Sequence, residues 1–280
     1  MKVTIIGLGL IGGSLSLRLK EVNFASEIKG VDNNKANEEK ALELNIVDVV
    51  TDLETGVKEA DLIVLAVPVD AIQKLLPKVL DLITKDQVVM EMGSTKQEIL
   101  KVVDQHPNRG RLVACHPMAG TEYSGPEAAV RDLYKDKNMV FCDVIKTDED
   151  AFEQAEAVCE TLQMNPIFMH AKEHDLHAAY VSHISHITSF GLALTVLEKE
   201  KSQGRIFELA GGGFASTVRL AKSSAEMWTP IFKQNRENVL EVLEEHIKQL
   251  QHFHDLLEEE NYPAVLKLIK QANKIKRIIK

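Results

Sequence analysis

The sequence predicts an α/β protein in two parts, a doubly wound sheet followed by an all-helical region. Up to about residue 170, short β-rich runs alternate with helical patterns, which is the order expected of βαβ units. After that point almost no strand signal remains. We therefore predict one domain over residues 1–170 and a second over residues 171–280, in close contact because no Pro- or Ser-rich linker separates them.

The predicted strands are short apolar runs, and the clearest is DLIVLAV at residues 61–67. A continuous apolar run is typical of a central parallel strand that is covered by helices on both faces. The other predicted strands cover residues 2–6, 28–31, 87–92, 111–115, 138–142 and 166–169. Helical patterns between them predict helices over residues 11–22, 35–44 and 71–82.

The second region has the pattern of several helices, interrupted by a triple glycine at residues 211–213. Residues 176–197 contain no Lys, Arg, Asp or Glu and are long enough to cross a bilayer. Their His, Ser and Thr side chains disfavour a membrane span, so we predict a helix buried in a globular core. Long apolar helices usually need a partner surface, and we therefore expect a homodimer through this region. The predicted helices cover residues 175–199, 205–209, 217–222, 237–259 and 263–279.

The composition is that of a soluble globular protein, with 45% hydrophobic and 27% charged residues. A net charge of −9 argues against nucleic acid as a partner, because phosphate contacts need clustered Lys and Arg. The basic residues from Lys267 to Lys280 suit the last turns of a helix. Cys115, Cys142 and Cys159 show no paired spacing, and the N-terminus MKVTIIGLG lacks a signal-peptide pattern. We therefore expect a cytoplasmic protein.

A glycine-rich loop, formed by Gly7, Gly9 and Gly12, follows the first predicted strand and opens the first helix. In this context GxGxxG predicts a dinucleotide site of the Rossmann type. The first glycine permits a tight turn, the second lets the backbone approach a pyrophosphate, and the third allows close helix–strand packing. Leu10 and Ile11 stand at the start of the helix, where free N–H groups attract the pyrophosphate. We assign all five residues to the cofactor site.

The residue that selects between the two nicotinamide cofactors is predicted to be Asp32. It lies twenty residues after Gly12, at the end of the second predicted strand. A carboxylate there accepts hydrogen bonds from both ribose hydroxyls and repels a 2′-phosphate. No Arg follows in the next five positions. The sequence thus predicts NAD rather than NADP, and a glycine turn without a ligand is the alternative.

Two further strand ends carry polar residues that suit redox chemistry. In an open α/β sheet, chemistry gathers at the carboxyl ends of the strands, beside the cofactor. Ser94 and His116 each follow such a run. An imidazole that titrates near neutrality can take the proton of a hydroxyl whose carbon gives up a hydride. Ser94 could orient the imidazole or the nicotinamide. From the residues alone, His116 is equally well a strand-end histidine satisfied by backbone groups.

Several longer motifs occur in a fixed order: GLGLIGGS at residues 7–14, GSTK at 93–96, HPMAGTEYSG at 116–125, SHISH at 182–186, and TVRLAKSS with MW at 217–228. In this combination the sequence resembles the prephenate dehydrogenase family over almost the whole chain. The resemblance implies NAD-dependent oxidative decarboxylation of prephenate to 4-hydroxyphenylpyruvate, on the route to tyrosine.

The resemblance assigns roles to individual residues. His116 matches the histidine that accepts the proton of the substrate 4-hydroxyl, and Ser94 matches the serine that orients it and the nicotinamide. Arg219 matches the arginine that holds a substrate carboxylate, Glu122 the acid that pairs with it, and His186 a substrate-side histidine. The chemistry agrees, because prephenate carries two carboxylates and an arginine fork grips a carboxylate at two points. We expect a loop beside the triple glycine to present Arg219.

The motifs leave the roles of the other histidines and of the single tryptophan open. For His183, a structural role in a packed helix and a substrate contact are both open, and Trp228 suits core packing better than chemistry. The family often has SHLPH where this chain has SHISH, a change that keeps the serine and both histidines. A metal held by His174, His177, His183 and His186 is an alternative. No Cys lies nearby, and the resemblance explains the SHISH histidines without a metal, so we predict none.

Three other functions are open. Arogenate dehydrogenase and β-hydroxyacid dehydrogenases share the two-domain layout, and one sequence does not identify the residue that separates prephenate from arogenate. β-Hydroxyacid dehydrogenases usually rely on a catalytic lysine in the helical domain, where this chain has SHISH. The third is a non-catalytic NAD-binding sensor, and the joint occurrence of Ser94, His116, Glu122 and Arg219 counts against it.

Overall fold

The computed structural model describes residues 1–278, and within that range eight strands form one sheet. The order across the sheet is β3-β2-β1-β4-β5-β6-β7-β8. Strands β1 to β6 run parallel, β7 is antiparallel to β6, and β8 is parallel to β7. The predicted α/β class, with its doubly wound sheet, is confirmed. The strands are β1 (Lys2–Ile6), β2 (Glu27–Val31), β3 (Val49–Val50), β4 (Leu62–Leu65), β5 (Val88–Glu91), β6 (Leu112–Pro117), β7 (Asn138–Cys142) and β8 (Asn165–Met169).

Twelve α-helices lie within residues 1–278, six before the end of the sheet and six after it. The first six are α1 (Leu10–Glu21), α2 (Lys35–Glu43), α3 (Leu53–Lys58), α4 (Val69–Leu82), α5 (Gln97–Lys101) and α6 (Glu149–Thr161). The others are α7 (Ala171–Ala178), α8 (Ile184–Glu200), α9 (Gly212–Val218), α10 (Ala225–Gln234), α11 (Arg236–Glu258) and α12 (Tyr262–Ala272). The helical part begins directly after β8, and a domain boundary at residues 170–171 stays a prediction.

The core lies on both faces of the sheet, which is why β4 is a continuous apolar run. All four residues of β4 are buried, because helices cover both of its faces. On one face Leu15 and Leu19 of α1 pack against the sheet. On the other face the core includes Leu76 of α4 together with Trp228 and Ile231 of α10. The helical part is therefore docked directly on the sheet.

The apolar segment at residues 176–197 differs from the expected single buried helix. A π-helical turn, Ala179–His183, separates α7 from α8. In the single chain α8 is not buried on most sides, since Leu194 is 66% exposed and Leu197 is 51% exposed. The expectation of burial within the chain's own core is therefore wrong. No helix within residues 1–278 has both the length and the apolar character needed to cross a membrane.

The helices are interrupted at the first residue of the triple glycine and not along all three. Gly211 is the N-cap of α9, and Gly212 and Gly213 form its first turn. Arg219 does not lie on a loop but begins a 3-10 turn, Arg219–Lys222, directly after α9. The predicted helix at residues 263–279 instead ends at Ala272 and continues as a 3-10 turn, Asn273–Arg277. Residues 279 and 280, on which this prediction and the basic C-terminal run end, lie outside the described residues.

Candidate active site

A cleft of about 520 Å³ opens at the carboxyl edge of the sheet, between the glycine loop after β1 and the helical part. It lies beside the ends of β1 and β4, where the strand order reverses, and this is the position at which open α/β sheets bind ligands. Its wall includes predicted residues from both parts of the chain: Gly9, Ser94, His116, His186, Arg219 and Trp228.

The glycine loop has the geometry that a dinucleotide requires. Gly7 has a φ of 100°, and a Cβ there would lie 2.5 Å from the carbonyl oxygen of Ala66. A Cβ on Gly12 would lie 2.0 Å from the carbonyl oxygen of Gly7, so the close packing of α1 on β1 excludes a side chain. A Cβ on Gly9 would meet nothing nearer than the Gly125 nitrogen at 4.0 Å. The backbone at Gly9 therefore faces open space, as a bound pyrophosphate needs.

The start of α1 lines this part of the cleft, whereas Asp32, directly after β2, does not itself line it. Leu10 and Ile11 line it, and Gly9, the N-cap of α1, brings no side chain to the free N–H groups of the first turn. Asp32 is half-buried beside the loop. Its carboxylate accepts hydrogen bonds from the backbone N–H of Leu8 at 2.9 Å and of Asn34 at 2.9 Å. These residues fit a dinucleotide with free ribose hydroxyls.

His116, the candidate base, lies near the end of β6 and is only 9% exposed. Its Nδ1 is 2.7 Å from Nε2 of His174, on α7. Burial lowers the pKa of His116 well below its ordinary value, and the positive charge of Lys96 acts in the same direction. The imidazole is therefore neutral at physiological pH, with Nε2 left for a ligand in the cleft.

Ser94 lines the same cleft but does not orient His116 as expected. The hydrogen bond at Nδ1 of His116 is made with His174 of α7, a helix that packs against β7, the neighbour of β6. Among the described residues, the Ser94 hydroxyl makes no hydrogen bond with His116. Ser94 is half-buried after β5 and remains free to contact a ligand.

A buried ion pair contacts the backbone near the end of β6. Lys96 and Glu91 are both fully buried, and the Lys96 ammonium donates to the Glu91 carboxylate and to the backbone carbonyl of Cys115. Burial raises the pKa of Glu91, and the adjacent ammonium opposes that effect. Because Cys115 directly precedes His116, this contact fixes the backbone that carries the candidate base.

Arg219 is held at the mouth of the cleft by Glu122. Its Nη1 donates to Glu122 Oε2 at 2.8 Å. The backbone N–H of Glu122 and the Arg219 guanidinium both lower the pKa of this carboxyl group. Glu122 does not itself line the cleft, whereas Arg219 does. Since one guanidinium nitrogen is used by Glu122 and the side chain is 48% exposed, its remaining donors are available to a second carboxylate.

His186 borders the cleft in a fixed orientation. Its Nδ1 donates to the backbone carbonyl of Ser182 at 3.1 Å, so Nε2 is the nitrogen that remains for a ligand. Its ring stacks on Trp228 with centroids 3.5 Å apart. Trp228 is buried and lines the cleft, so it combines packing with a place in the wall. Burial lowers the pKa of His186.

His183 is not placed as a substrate contact. It is 1% exposed, does not line the cleft, and lies edge-on to Trp228. Its Nδ1 is 3.1 Å from the side-chain nitrogen of Asn235. The π-helical turn that ends at His183 changes the angular spacing of the side chains, so His183 faces α11 while His186 faces the cleft. The structural reading of His183 is therefore the better one.

The sequence patterns name His174 only as a possible metal ligand, in the alternative that we did not choose, and they do not name Asp175. Both are 2% exposed, at the start of the helical part, and they reach the base from a distant part of the chain. The one sequence signal that indicates these two residues is that a histidine and an aspartate stand next to each other shortly after the last strand. On the surface of α11, His254, Asp255 and Glu258 form an exposed cluster of possible metal ligands that does not line the cleft.

Two family models match the chain in succession. Residues 15–166 match the nucleotide-binding domain of prephenate dehydrogenase, and residues 170–271 match its dimerization domain. The chain belongs to the prephenate dehydrogenase family. This membership confirms the predicted class of enzyme, an NAD-dependent dehydrogenase.

Individual members of the prephenate dehydrogenase family resemble the chain along almost its whole length. Prephenate dehydrogenase of Bacillus subtilis is 31% identical over 97% of this chain and 75% of that relative. Cyclohexadienyl dehydrogenase of Zymomonas mobilis is 29% identical over 99% of this chain and 96% of the relative. The crystal structure of prephenate dehydrogenase from A. aeolicus, in complex with hydroxyphenyl propionate and NAD+, has a TM-score of 0.88 and 31% identity, covering 99% of this chain and 97% of that one.

Proposed function

We propose that the protein catalyses the NAD-dependent oxidative decarboxylation of prephenate to 4-hydroxyphenylpyruvate, a step of tyrosine biosynthesis. The observation that carries this proposal is that His116 and Arg219 line the same cleft as Gly9 of the dinucleotide loop. A proton acceptor, a carboxylate-binding cation and a cofactor loop are the three parts that this reaction needs in one place.

Substrate binding depends on charge, because prephenate has two carboxylates and the protein has a net charge of −9. Arg219 offers its unused guanidinium N–H groups to one carboxylate, while Glu122 keeps the guanidinium in place. His186 faces the same space with Nε2 free, and its stacking on Trp228 prevents it from turning away. These side chains fix the substrate relative to His116.

The proton that must leave during the reaction goes to His116. Bound NAD supplies the acceptor for the hydride that leaves C4. As C4 loses the hydride, its hydroxyl gives its proton to Nε2 of His116, which is ready because burial keeps the ring neutral. The ring carboxylate then leaves as carbon dioxide, the electrons of its C–C bond complete the aromatic ring, and the phenolic oxygen takes a proton back.

The test is NADH production by the purified protein with prephenate or arogenate, for the wild type and His116→Asn. His177→Asn is the matched control, because His177 is exposed and does not line the cleft. We expect prephenate turnover that falls about 10²- to 10⁴-fold in His116→Asn and is unchanged in the control. Turnover of arogenate but not of prephenate would keep the oxidative decarboxylation and make arogenate the substrate. Failure with both substrates would refute the proposed function.

Cofactor choice is measured in the same assay. We propose NAD over NADP, because the Asp32 carboxylate stands beside the glycine loop and would repel a 2′-phosphate. For the wild type, kcat/KM with NAD should be more than about tenfold higher than kcat/KM with NADP. In Asp32→Ser this ratio should fall toward one, because the carboxylate that repels the 2′-phosphate is gone. Equal use of both cofactors by the wild type would contradict the assignment.

We also propose a homodimer formed through the helical part. A compact monomer of 31.2 kDa is expected to expose about 12,000 Å², whereas this chain exposes 15611 Å². Part of the excess is apolar: Leu194 on α8, Leu250 on α11 and Leu266 on α12 are each more than half exposed. A second copy that covers these helices would bury them, as obligate homodimer interfaces do.

Molecular mass in solution tests the dimer. Leu250→Glu places a charge on the exposed face of α11, and Ile145→Glu is the control at an apolar side chain that is 89% exposed on the sheet domain. We expect a dimer for the wild type and for Ile145→Glu, and a shift toward the monomer for Leu250→Glu. A monomeric wild type at micromolar concentration would overturn the proposal.

A cytoplasmic location agrees with the state of the cysteines. Cys115, Cys142 and Cys159 are all unpaired and buried. Proteins of oxidising compartments commonly pair their cysteines, so three free thiols favour a reducing compartment. Fractionation of the source cells should recover the dehydrogenase activity with the cytosol, and recovery with an extracellular or membrane fraction would contradict this assignment.

A further inference from the structure

A chain of three buried polar side chains lies behind the cleft. Nδ1 of His116 is 2.7 Å from Nε2 of His174, and Nδ1 of His174 is 2.8 Å from Oδ1 of Asp175. All three residues are at most 9% exposed. Nδ1 of His116 and both ring nitrogens of His174 therefore each have one protein partner, and these partners decide where the protons lie.

The direction of these hydrogen bonds follows from Asp175. Its two carboxylate oxygens accept from the backbone N–H of Lys96 at 2.8 Å and of Gln97 at 2.9 Å. The contact with His174 is the third hydrogen bond of this carboxylate. Because a carboxylate has no proton to donate, the proton of this bond lies on the imidazole, and Nδ1 of His174 is the donor. Burial lowers the pKa of His174 and keeps this ring neutral, so its Nε2 carries a lone pair.

That lone pair determines the protonation of the base. Nε2 of His174 accepts, so Nδ1 of His116 must donate, and a neutral His116 then has its lone pair on Nε2. Nε2 is the nitrogen that remains for a ligand. The opposite tautomer would place an N–H where the proton of the substrate has to go.

We propose that His174 and Asp175 are positioning residues, which hold His116 in the tautomer whose Nε2 accepts the proton of the substrate hydroxyl. The inference rests on the proposed function. During the reaction the proton moves from the hydroxyl oxygen to Nε2 of His116, and the Nδ1 proton stays in place. The imidazolium that forms donates to His174, which Asp175 in turn supports.

Asp175 also has a structural role, so the decisive variants are placed at His174. Asp175 belongs to α7 and binds the backbone before and within α5, which joins the helical part to the sheet domain. Its replacement could loosen that contact. In His174→Gln the side-chain oxygen can still accept from Nδ1 of His116, whereas in His174→Leu nothing accepts. His177→Leu, at an exposed position of the same helix, is the control.

The first measurement is the steady-state kinetics of these variants with NAD and the active substrate. We expect kcat of His174→Leu to fall about 10²- to 10⁴-fold, with KM for both substrates changed by less than about threefold. His174→Gln should recover at least about tenfold of that loss, and His177→Leu should match the wild type. Unchanged kcat in His174→Leu would overturn the proposal, and so would a folded His174→Gln no faster than His174→Leu.

The second measurement does not depend on turnover. Long-range proton–nitrogen NMR correlations of the histidine rings report which nitrogen carries the proton. The wild type should show protonated Nδ1 and bare Nε2 on both His116 and His174, and His174→Leu should shift His116 to the other tautomer. A wild-type His116 protonated on Nε2 would overturn the inference. If the NMR spectra show the expected tautomers but the protein turns over neither prephenate nor arogenate, the positioning of His116 is upheld and the proposed function is refuted.

Discussion

The free energy of unfolding should fall as the pH drops below about 6.5, and His183 should account for a defined share of the loss. Its ring is buried beside Trp228 and Asn235. Burial lowers its pKa from 6.5 to about 4, against the opposing effect of the Asp175 carboxylate. The unfolded chain therefore binds this proton before the folded chain does. Stability present above pH 6.5 is lost as the pH falls toward 4, because protonation favours the unfolded state.

The size of the effect follows from the two pKa values. A shift from 6.5 to about 4 corresponds to about 3 kcal/mol once both states are fully protonated. At about pH 5 the unfolded imidazole is almost fully protonated and the folded one is mostly neutral, so about 2 kcal/mol has been lost. This is a large share of the stability of an ordinary domain.

Urea unfolding at about pH 8 and about pH 5 measures this loss, at one protein concentration because dimerisation would otherwise shift the midpoint. His183→Asn keeps an acceptor for the Asn235 side chain but cannot titrate, and His177→Asn is the exposed control. Between the two pH values, His183→Asn should lose about 2 kcal/mol less than the wild type and the control. An equal loss in all three would refute the reasoning, because His183 would then titrate alike in the folded and unfolded chains.

Three further predictions concern the cleft. Arg219→Gln should raise KM for prephenate about tenfold to a hundredfold and leave KM for NAD unchanged. The reason is that the variant removes charged hydrogen bonds to the substrate worth about 1.5–3 kcal/mol. Steady-state kinetics with each substrate varied in turn would check this. Gly9→Ala should raise KM for NAD without lowering the unfolding midpoint, because the added Cβ would face open space. Gly12→Ala should lower the unfolding midpoint, because its Cβ would lie 2.0 Å from the Gly7 carbonyl oxygen. The acid limb of the profile of kcat/KM against pH should lie below pH 6.5, because burial lowers the pKa of His116 and only the neutral ring accepts the proton; a limb above 6.5 would contradict this.

The sheet was predictable because each central strand is a short apolar run buried on both faces. The run at residues 61–67 contains β4, and residues 138–142 coincide with β7. The antiparallel direction of β7 was not predictable, since the same apolar run suits either direction. The patterns also do not indicate β3, α3, α5, α6 or α10, of which β3 has two residues and α10 contains Pro230. The mistake at residues 176–197 has a physical cause as well, because the sequence shows that a face is apolar but not which surface covers it.

The site divides in the same way. Motif residues with chemistry of their own could be named in advance, and Gly9, Ser94, His116, His186 and Arg219 do meet in one cleft. The support behind the base could not. His174 is 58 positions from His116, and the packing of α7 against β7 and α5 brings their rings together. A buried histidine beside an aspartate has many structural uses, so its sequence context does not distinguish a positioning role.

The position of Asp175 explains why the base is supported from the helical part rather than from the sheet domain that carries it. In the proposed function, Arg219 of the helical part holds the substrate, and hydride transfer requires the substrate carbon to meet a cofactor bound at the glycine loop after β1. Asp175 binds the backbone of Lys96 and Gln97 on the sheet side and, through His174, the ring of His116. One carboxylate thus ties the relative position of the two parts to the tautomer of the base. A displacement of the helical part that moved the substrate out of reach would also weaken the contact that prepares the base.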